Sequence, residues 1–279
     1  MVVTQRRIDL ESYSGEFEVF VCSDLHIGSS GVDHDRIVSD LAEAKRRGAR
    51  ILINGDIFDA ILPSDHKRFA PEVLAKRIQG RGDVLNGVIE YAEELLAPFA
   101  PNIDVIGVGN HDTAVTKYHS IDPVSILIDR LKSKHGGSMK HGGYSGYYQV
   151  IAKCPPRNYW SWILRYHHGS GGSAPVTKGM IDHARMLSWV SNADVLTFGH
   201  KHNKIVDAGN MRERLTSDGN VVYEPVMVVH TASYYEPSPG RPGWAQERNF
   251  APQDKGGVFL KVKFWSSQGR QQTKTTVEL

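Results

Sequence analysis

Apolar residues along the chain fall into two rhythms. Short continuous runs bounded by turn residues read as buried strands: Phe17 to Ser23 (FEVFVCS), Arg50 to Asn54 (RILIN) and Ile103 to Val108 (IDVIGV). Between them the period lengthens to 3–4. Ile37, Leu41 and Ala44 share one face of a helix predicted from Asp33 to Arg47, with Gly48 as its stop. Leu85, Val88, Ala92 and Leu95 mark a second helix that starts near Asp83, its N-cap. Asp122-Pro123 reads as an N-cap followed by proline at the first helical position, opening a helix to about Lys134 before Gly136-Gly137. The second half carries more strands: Tyr147 to Ala152, Trp160 to Tyr166, Val195 to Phe198, Val221 to Val229 and Gly257 to Trp265, with one helix from Met180 to Val190. Strand–helix alternation followed by a strand-rich half predicts an α/β fold of two packed sheets flanked by helices. No repeat, low-complexity tract or linker interrupts the pattern, so residues 1–279 are expected to form a single domain.

Composition narrows the classes. With 40% hydrophobic and 23% charged residues in 279, the chain is of ordinary globular type and long enough for a substantial core. A net charge of +2 excludes a histone-like polycation and weakens the reading of a DNA-binding module within a repair complex. Two cysteines, Cys22 and Cys154, exclude a disulfide framework and point to a reduced, cytoplasmic setting. No apolar run approaches the roughly 20 residues of a membrane span, and the opening MVVTQRRIDLESYSG lacks the apolar segment of a signal peptide. The chain has 13 histidines, and their placement carries the functional argument.

Five clusters of metal-ligating residue types each follow a predicted strand. They are Asp24-x-His26, Gly55-Asp56, Gly109-Asn110-His111-Asp112, His167-His168-Gly169 and Gly199-His200-Lys201-His202. In open α/β sheets, sites collect beyond the carboxyl ends of strands, so five strands stopping at one edge would gather these groups. Residues two apart in an extended segment point the same way, so Asp24 and His26 could face one ion, and His200 and His202 likewise. Glycines before Asp56, Asn110 and His200 would permit sharp turns. Carboxylates, imidazoles and one amide oxygen together suit Mn, Fe, Zn or Co better than Ca or Mg. One carboxylate bridging two ions would divide these ligands economically, and such a pair clamps a phosphate and activates water.

The series DLH (24–26), GDIFD (55–59), GNHD (109–112), HHG (167–169) and GHKH (199–202) resembles the calcineurin-like metallophosphoesterase superfamily. The resemblance implies a four-layer αββα sandwich of two mixed β-sheets flanked by helices. It also implies two divalent transition-metal ions, manganese favoured. Carried over by motif, Asp24, His26 and His202 would hold the first ion, Asn110, His168 and His200 the second, and Asp56 would bridge. His168 is taken over His167 because the family ligand directly precedes glycine; His167 should face the other side. His111 matches the family histidine that protonates the leaving oxygen or stabilises phosphoryl charge. Asp59 would orient its imidazole, with Asp112 either a second orienter or a capping carboxylate.

Departures narrow the subclass. Protein phosphatases of the Ser/Thr type resemble GDxxDRG and RGNHE, with arginines that this chain lacks in GDIFDAI, where Ala60 stands, and in VGNHD. Lipid-precursor pyrophosphatases carry arginine where His111 stands. DNA-repair nucleases share the remaining pattern, and the overall look is of bacterial and phage calcineurin-like phosphoesterases. The expected substrate is a phosphoester, with nucleotides and nucleic acid among the candidates. A phosphodiesterase or nuclease is favoured over a phosphomonoesterase or protein phosphatase. The reading of another class is a non-catalytic metal-binding scaffold of the same fold. Two segments frame the site. A basic insertion at 60–82 is a solvated surface segment or a flap that offers Lys67, Arg68, Arg77 and Arg81 to extra phosphates. A loop at 234–250, rich in aromatics and proline, could stack a base or cover a sheet. Backbone N–H groups of Gly169 to Ser173 could line an anion pocket. Nothing in the sequence speaks to the oligomeric state.

Overall fold

The computed structural model describes all residues except 11, 13, 60–70, 155–157, 173–176, 236–253 and 268–269. The first half of the chain runs β1 (Val2–Asp9), β2 (Gly15–Cys22), α1 (His34–Arg46), β3 (Arg50–Ile53), α2 (Val84–Leu96), β4 (Ile103–Ile106), α3 (Asn110–His119), α4 (Pro123–His135) and β5 (Lys140–His141). The second half runs β6 (Ser145–Cys154), β7 (Asn158–His167), α5 (Met180–Trp189), β8 (Val195–Phe198), β9 (Ile205–Leu215), β10 (Val221–His230), β11 (Val258–Ser267) and β12 (Arg270–Glu278).

These strands form two mixed six-stranded sheets, ordered β12-β11-β2-β3-β4-β5 and β1-β6-β7-β8-β10-β9. Within the first, β2 to β5 run parallel and β11 pairs antiparallel with β2. Within the second, β7, β8 and β10 run parallel to one another.

Alternation along β2 assigns its two faces. Val19 and Val21 turn inward with Leu52 and Val105 to meet Tyr148, Trp162, Leu164, Tyr166 and Val229 of the second sheet. Phe20 and Cys22 point outward with Ile51 and Ile53 into a second core, built with α1 (Ile37, Leu41), α2 (Val88, Leu96) and α4 (Leu127, Leu131). Burying each such side chain contributes about 1.5–3 kcal/mol. On the far face, α5 sets Met186, beside Val190, against Leu196, Phe198 and Val228. The order of layers is therefore α-β-β-α, with a thick helical layer on one side and one described helix on the other.

The helix boundaries follow local chemistry. Asp33 caps α1 through the N–H of Arg36, and Asp122 caps α4 through those of Val124 and Ser125. Asp83 precedes α2 as expected, but makes no cap bond; its carboxylate is held by Arg81. No helix among the described residues is long and apolar enough to cross a membrane.

Candidate metal centre

The motif residues all emerge at one edge of the sandwich. Asp24 and His26 follow β2, Asp56 and Asp59 follow β3, and Asn110 and His111 open α3 just beyond β4. His168 follows β7, and His200 and His202 follow β8. The first three strands belong to one sheet and the last two to the other, so the site lies across the seam between them. Two groups could each hold a metal ion, with ligand atoms within 4.8 Å of one another: Asp24, His26 and His202, and Asp56, His168 and His200. Both groups draw on both sheets. His26, Asp59 and His111 form a third such group that shares His26. His202 Nε2 lies 3.3 Å from Asp24 Oδ1 and 3.4 Å from His26 Nε2, and His168 Nε2 lies 3.1 Å from Asp56 Oδ2.

The backbone reaches this arrangement differently from the extended geometry expected. Asp24, His26, Asp56, His200 and His202 have φ of +54°, +44°, +50°, +68° and +56°. That is left-handed backbone, which costs roughly 1–2 kcal/mol per residue, so neither Asp24-x-His26 nor His200-x-His202 is a strand segment. Hydrogen bonds between the strand-end loops hold it: Asp24 N to Gly55 O at 3.0 Å and His26 N to Asp56 O at 3.1 Å. Two motif glycines act through room instead of turning. A Cβ at Gly109, whose φ is −113°, would stand 2.0 Å from Asp56 Oδ1, and one at Gly199 would stand 2.7 Å from Asp24 Oδ2.

Buried polar groups around the cluster aim its ligand atoms. Asp24 accepts from the N–H of His200 at 2.9 Å and from Ser23 Oγ, which lies 2.6 Å from Thr231 Oγ1. His168 Nδ1 sits 2.8 Å from Asn54 O, turning Nε2 to Asp56. His200 Nε2 sits 2.8 Å from Gly171 O, which leaves its Nδ1 for the cluster. Asp56 Oδ1 accepts from His111 N at 2.9 Å, at the N-terminus of α3.

The donor set fits divalent cations. Asp24 and Asp56 are buried, and among the described residues their ion pairs are with histidines alone. Buried carboxylates without strong cationic partners are costly. Burial would raise the pKa of both, yet the neighbouring imidazoles hold both below the usual range. His26 is pushed down to about 4 by burial and by the charge of His111, which leaves it neutral with a free lone pair. Asn110 Oδ1 is buried and has no hydrogen-bond partner.

His111 stands beside this cluster, its ring 4.8 Å from that of His26 and its Nδ1 3.2 Å from Asp59 Oδ1. Burial would lower its pKa, but the carboxylates of Asp59 and Asp56 carry it up to about 9. Asp112 takes the capping role, accepting from Gly109 N at 2.9 Å and Phe58 N at 3.2 Å. His167 turns away and accepts from Gly169 N at 2.9 Å. Carbonyls of Ser170, Gly171 and Gly172 converge on Lys201 Nζ, which anchors the loop named as an anion pocket.

Lys67 and Arg68 lie outside the described residues. Arg77 is paired with Glu94 at 2.7 Å, and Arg81 with Asp83 and Glu90 at 2.8 and 2.9 Å, so α2 and its N-cap engage both. Of the segment 234–250, only Tyr234 and Tyr235 are described. Tyr234 packs in the helix-side core, and Tyr235 reaches the site, its hydroxyl donating to Asp59 Oδ2. Sequence reasoning placed Tyr235 in a loop that stacks a base or covers a sheet, and did not set it beside Asp59.

No protein-family model and no curated protein matches the chain. Solved structures resemble it at low identity. Calcineurin-like phosphoesterase YfkN from Bacillus subtilis is 11% identical, with 95% of this chain and 91% of that one covered and a TM-score of 0.43. A metallophosphoesterase from Sphaerobacter thermophilus is 12% identical over 94% and 89%, with a TM-score of 0.34. Vacuolar Protein Sorting 29 from Cryptosporidium parvum is 11% identical over 94% and 98%, with a TM-score of 0.33.

Proposed function

We propose that this chain is a dinuclear metal-dependent hydrolase of phosphoester bonds that acts on diesters in preference to monoesters. The observation that carries the reading is the convergence, across the sheet seam, of two groups that could each hold a metal, with a histidine–carboxylate pair beside them. Asp24, His26 and His202 would hold one ion and Asn110, His168 and His200 the other, with Asp56 as a shared ligand. Two divalent transition-metal ions, manganese first among them, would supply Lewis acidity to a phosphoryl group.

The remaining work falls to the chain. His111 holds Nδ1 against Asp59 and presents Nε2 as the donor to the departing oxygen. The preference for diesters has two supports. A diester of ribose or deoxyribose releases an alkoxide, which needs that proton. A phosphate monoester dianion calls for further positive charge, and where the Ser/Thr phosphatases carry an arginine after the GDxxD motif this chain has Ala60.

The test is a screen of the Mn-loaded protein against bis-p-nitrophenyl phosphate, p-nitrophenyl phosphate, cyclic nucleotides and single- and double-stranded DNA. Turnover of diesters above monoesters is the expected result. Turnover of the monoester alone would reassign the substrate class. Two bound ions with no turnover of any substrate would leave the non-catalytic scaffold.

A further inference from the structure

β10 ends at His230 and delivers Thr231 to Tyr235 to the same edge as the candidate ligands. The backbone there is pinned: Tyr234 N donates to Asp24 O at 3.3 Å, Asp33 N donates to Tyr234 O at 2.9 Å, and Tyr235 bridges to Val32. The Tyr235 hydroxyl donates to Asp59 Oδ2 and lies 3.1 Å from Ser29 Oγ. Its ring lies 4.9 Å from that of His26 and nearly parallel, at 20°, to that of His202. Gly31 gives it room, since a Cβ there would stand 3.2 Å from the tyrosine ring. The other oxygen of Asp59 faces His111 Nδ1 at 3.2 Å. This buried carboxylate thus accepts a hydrogen bond from the phenol at one oxygen, while its other oxygen makes no hydrogen bond among the described residues and stands as an ion-pair partner to the imidazole.

We infer that Tyr235 is a positioning residue for His111: by fixing the rotation of the Asp59 carboxylate it fixes the orientation of the imidazole. Without the phenol, the carboxylate can rotate and offer either oxygen to its partner. With one oxygen tied to the phenol, it presents the other to Nδ1 from one direction, which leaves Nε2 free to carry the proton that is donated. The catalytic consequence rests on the proposed hydrolase; the structural one does not.

Tyr235→Phe removes only the hydroxyl. In protein labelled with 15N-histidine, metal-free and Zn-loaded, the wild type should show a protected low-field Nδ1 proton, assigned to His111 by its loss in His111→Ala. In Tyr235→Phe that signal should broaden or exchange at least about tenfold faster, while metal stoichiometry stays at the wild-type value. On an unactivated dialkyl diester kcat should fall about tenfold, the effect of losing one hydrogen bond to a charged group, with KM unchanged. The loss on bis-p-nitrophenyl phosphate should be smaller. In an Asp59→Asn background the same change should add nothing, because the two residues act as one unit.

An unaltered His111 proton in Tyr235→Phe would overturn the assignment, as would losses that add fully across the two variants. So would a wild-type Tyr235→Phe beside a Tyr235→Leu that loses metal, which would leave the ring alone with a role. If no phosphoester is turned over by the wild type, the proposed function fails, and the His111 proton still decides the role of Tyr235.

Discussion

At the scale of the residue, His111 is where proton delivery can be separated from metal holding. His111→Ala should keep its ions, yet lose roughly 10²–10⁴-fold in turnover, the usual range for an acid–base group. The loss should be greater on an alkyl diester than on an activated aryl one, whose leaving group departs without a proton. Rate ratios on the two substrates at saturating metal check this, and equal ratios would mean that His111 stabilises phosphoryl charge instead. The candidate ligands were legible in the sequence because their chemistry is rare: two Asp, four His and one Asn at strand ends leave few other uses. Their backbone was not legible, since a left-handed φ at Asp24 or His202 leaves no mark on residue type beyond tolerance for it. Tyr235 was hidden for a related reason. An aromatic residue just past a strand is ordinary, and only its contact with Asp59 sets it apart.

At the scale of the element, the central strands could be read from continuous apolar runs, α1 and α2 from an apolar period, and α4 from its Asp122-Pro123 start. The edges could not. β1, β9 and β12 alternate polar with polar or weakly apolar residues, as edge strands do, and α3 buries little beyond Asp112 and Val115. The turn between β4 and α3 yields a sharp prediction. Gly109→Ala would drive a Cβ against Asp56, so stability should drop by about 1–3 kcal/mol and metal affinity should fall with it. Urea melts and metal titration measure the two; an unperturbed variant would show that Asp56 can move aside.

A second prediction concerns Asp194, at the start of β8. Its carboxylate accepts from Ile163 N at 2.7 Å, and burial pushes its pKa from 3.8 up to about 6. The folded state therefore prefers the protonated acid. The stability it gives is complete below about pH 4 and is lost as pH rises through 6, a cost of roughly 1–3 kcal/mol above that. Asp194→Asn cannot ionise. It should match the wild type at pH 4 and exceed it at pH 7.5 in chemical denaturation. A variant curve parallel to wild type across that range would place the titration elsewhere.

At the scale of the whole molecule, two packed sheets flanked by helices emerged from the order of strands and helices, and their mixed strand directions from the family resemblance, but the unequal thickness of the helical layers did not. α5 is the one described helix over the second sheet, and its cover is set by packing against Leu196 and Phe198, contacts far apart in the chain. Metal binding should stabilise the native state by mass action, about 2.7 kcal/mol at a hundredfold excess over Kd. The melting temperature should rise with Mn or Zn and return with chelator. Asp56→Asn should flatten that response, and a full metal-induced rise in this variant would displace Asp56 from between the two ions.

The placement of the site across the seam gives that coupling a mechanical sense. Each of the two candidate groups joins loops of one sheet to loops of the other, so an ion in either would act as a rivet through both plates of the sandwich. Without the rivets, the plates are joined by the apolar filling around Trp162 and Tyr166 and by a few hydrogen bonds between loops. Withdrawing metal and thinning that filling are then two ways of loosening one joint. Neither insult would be confined to the place where it was struck.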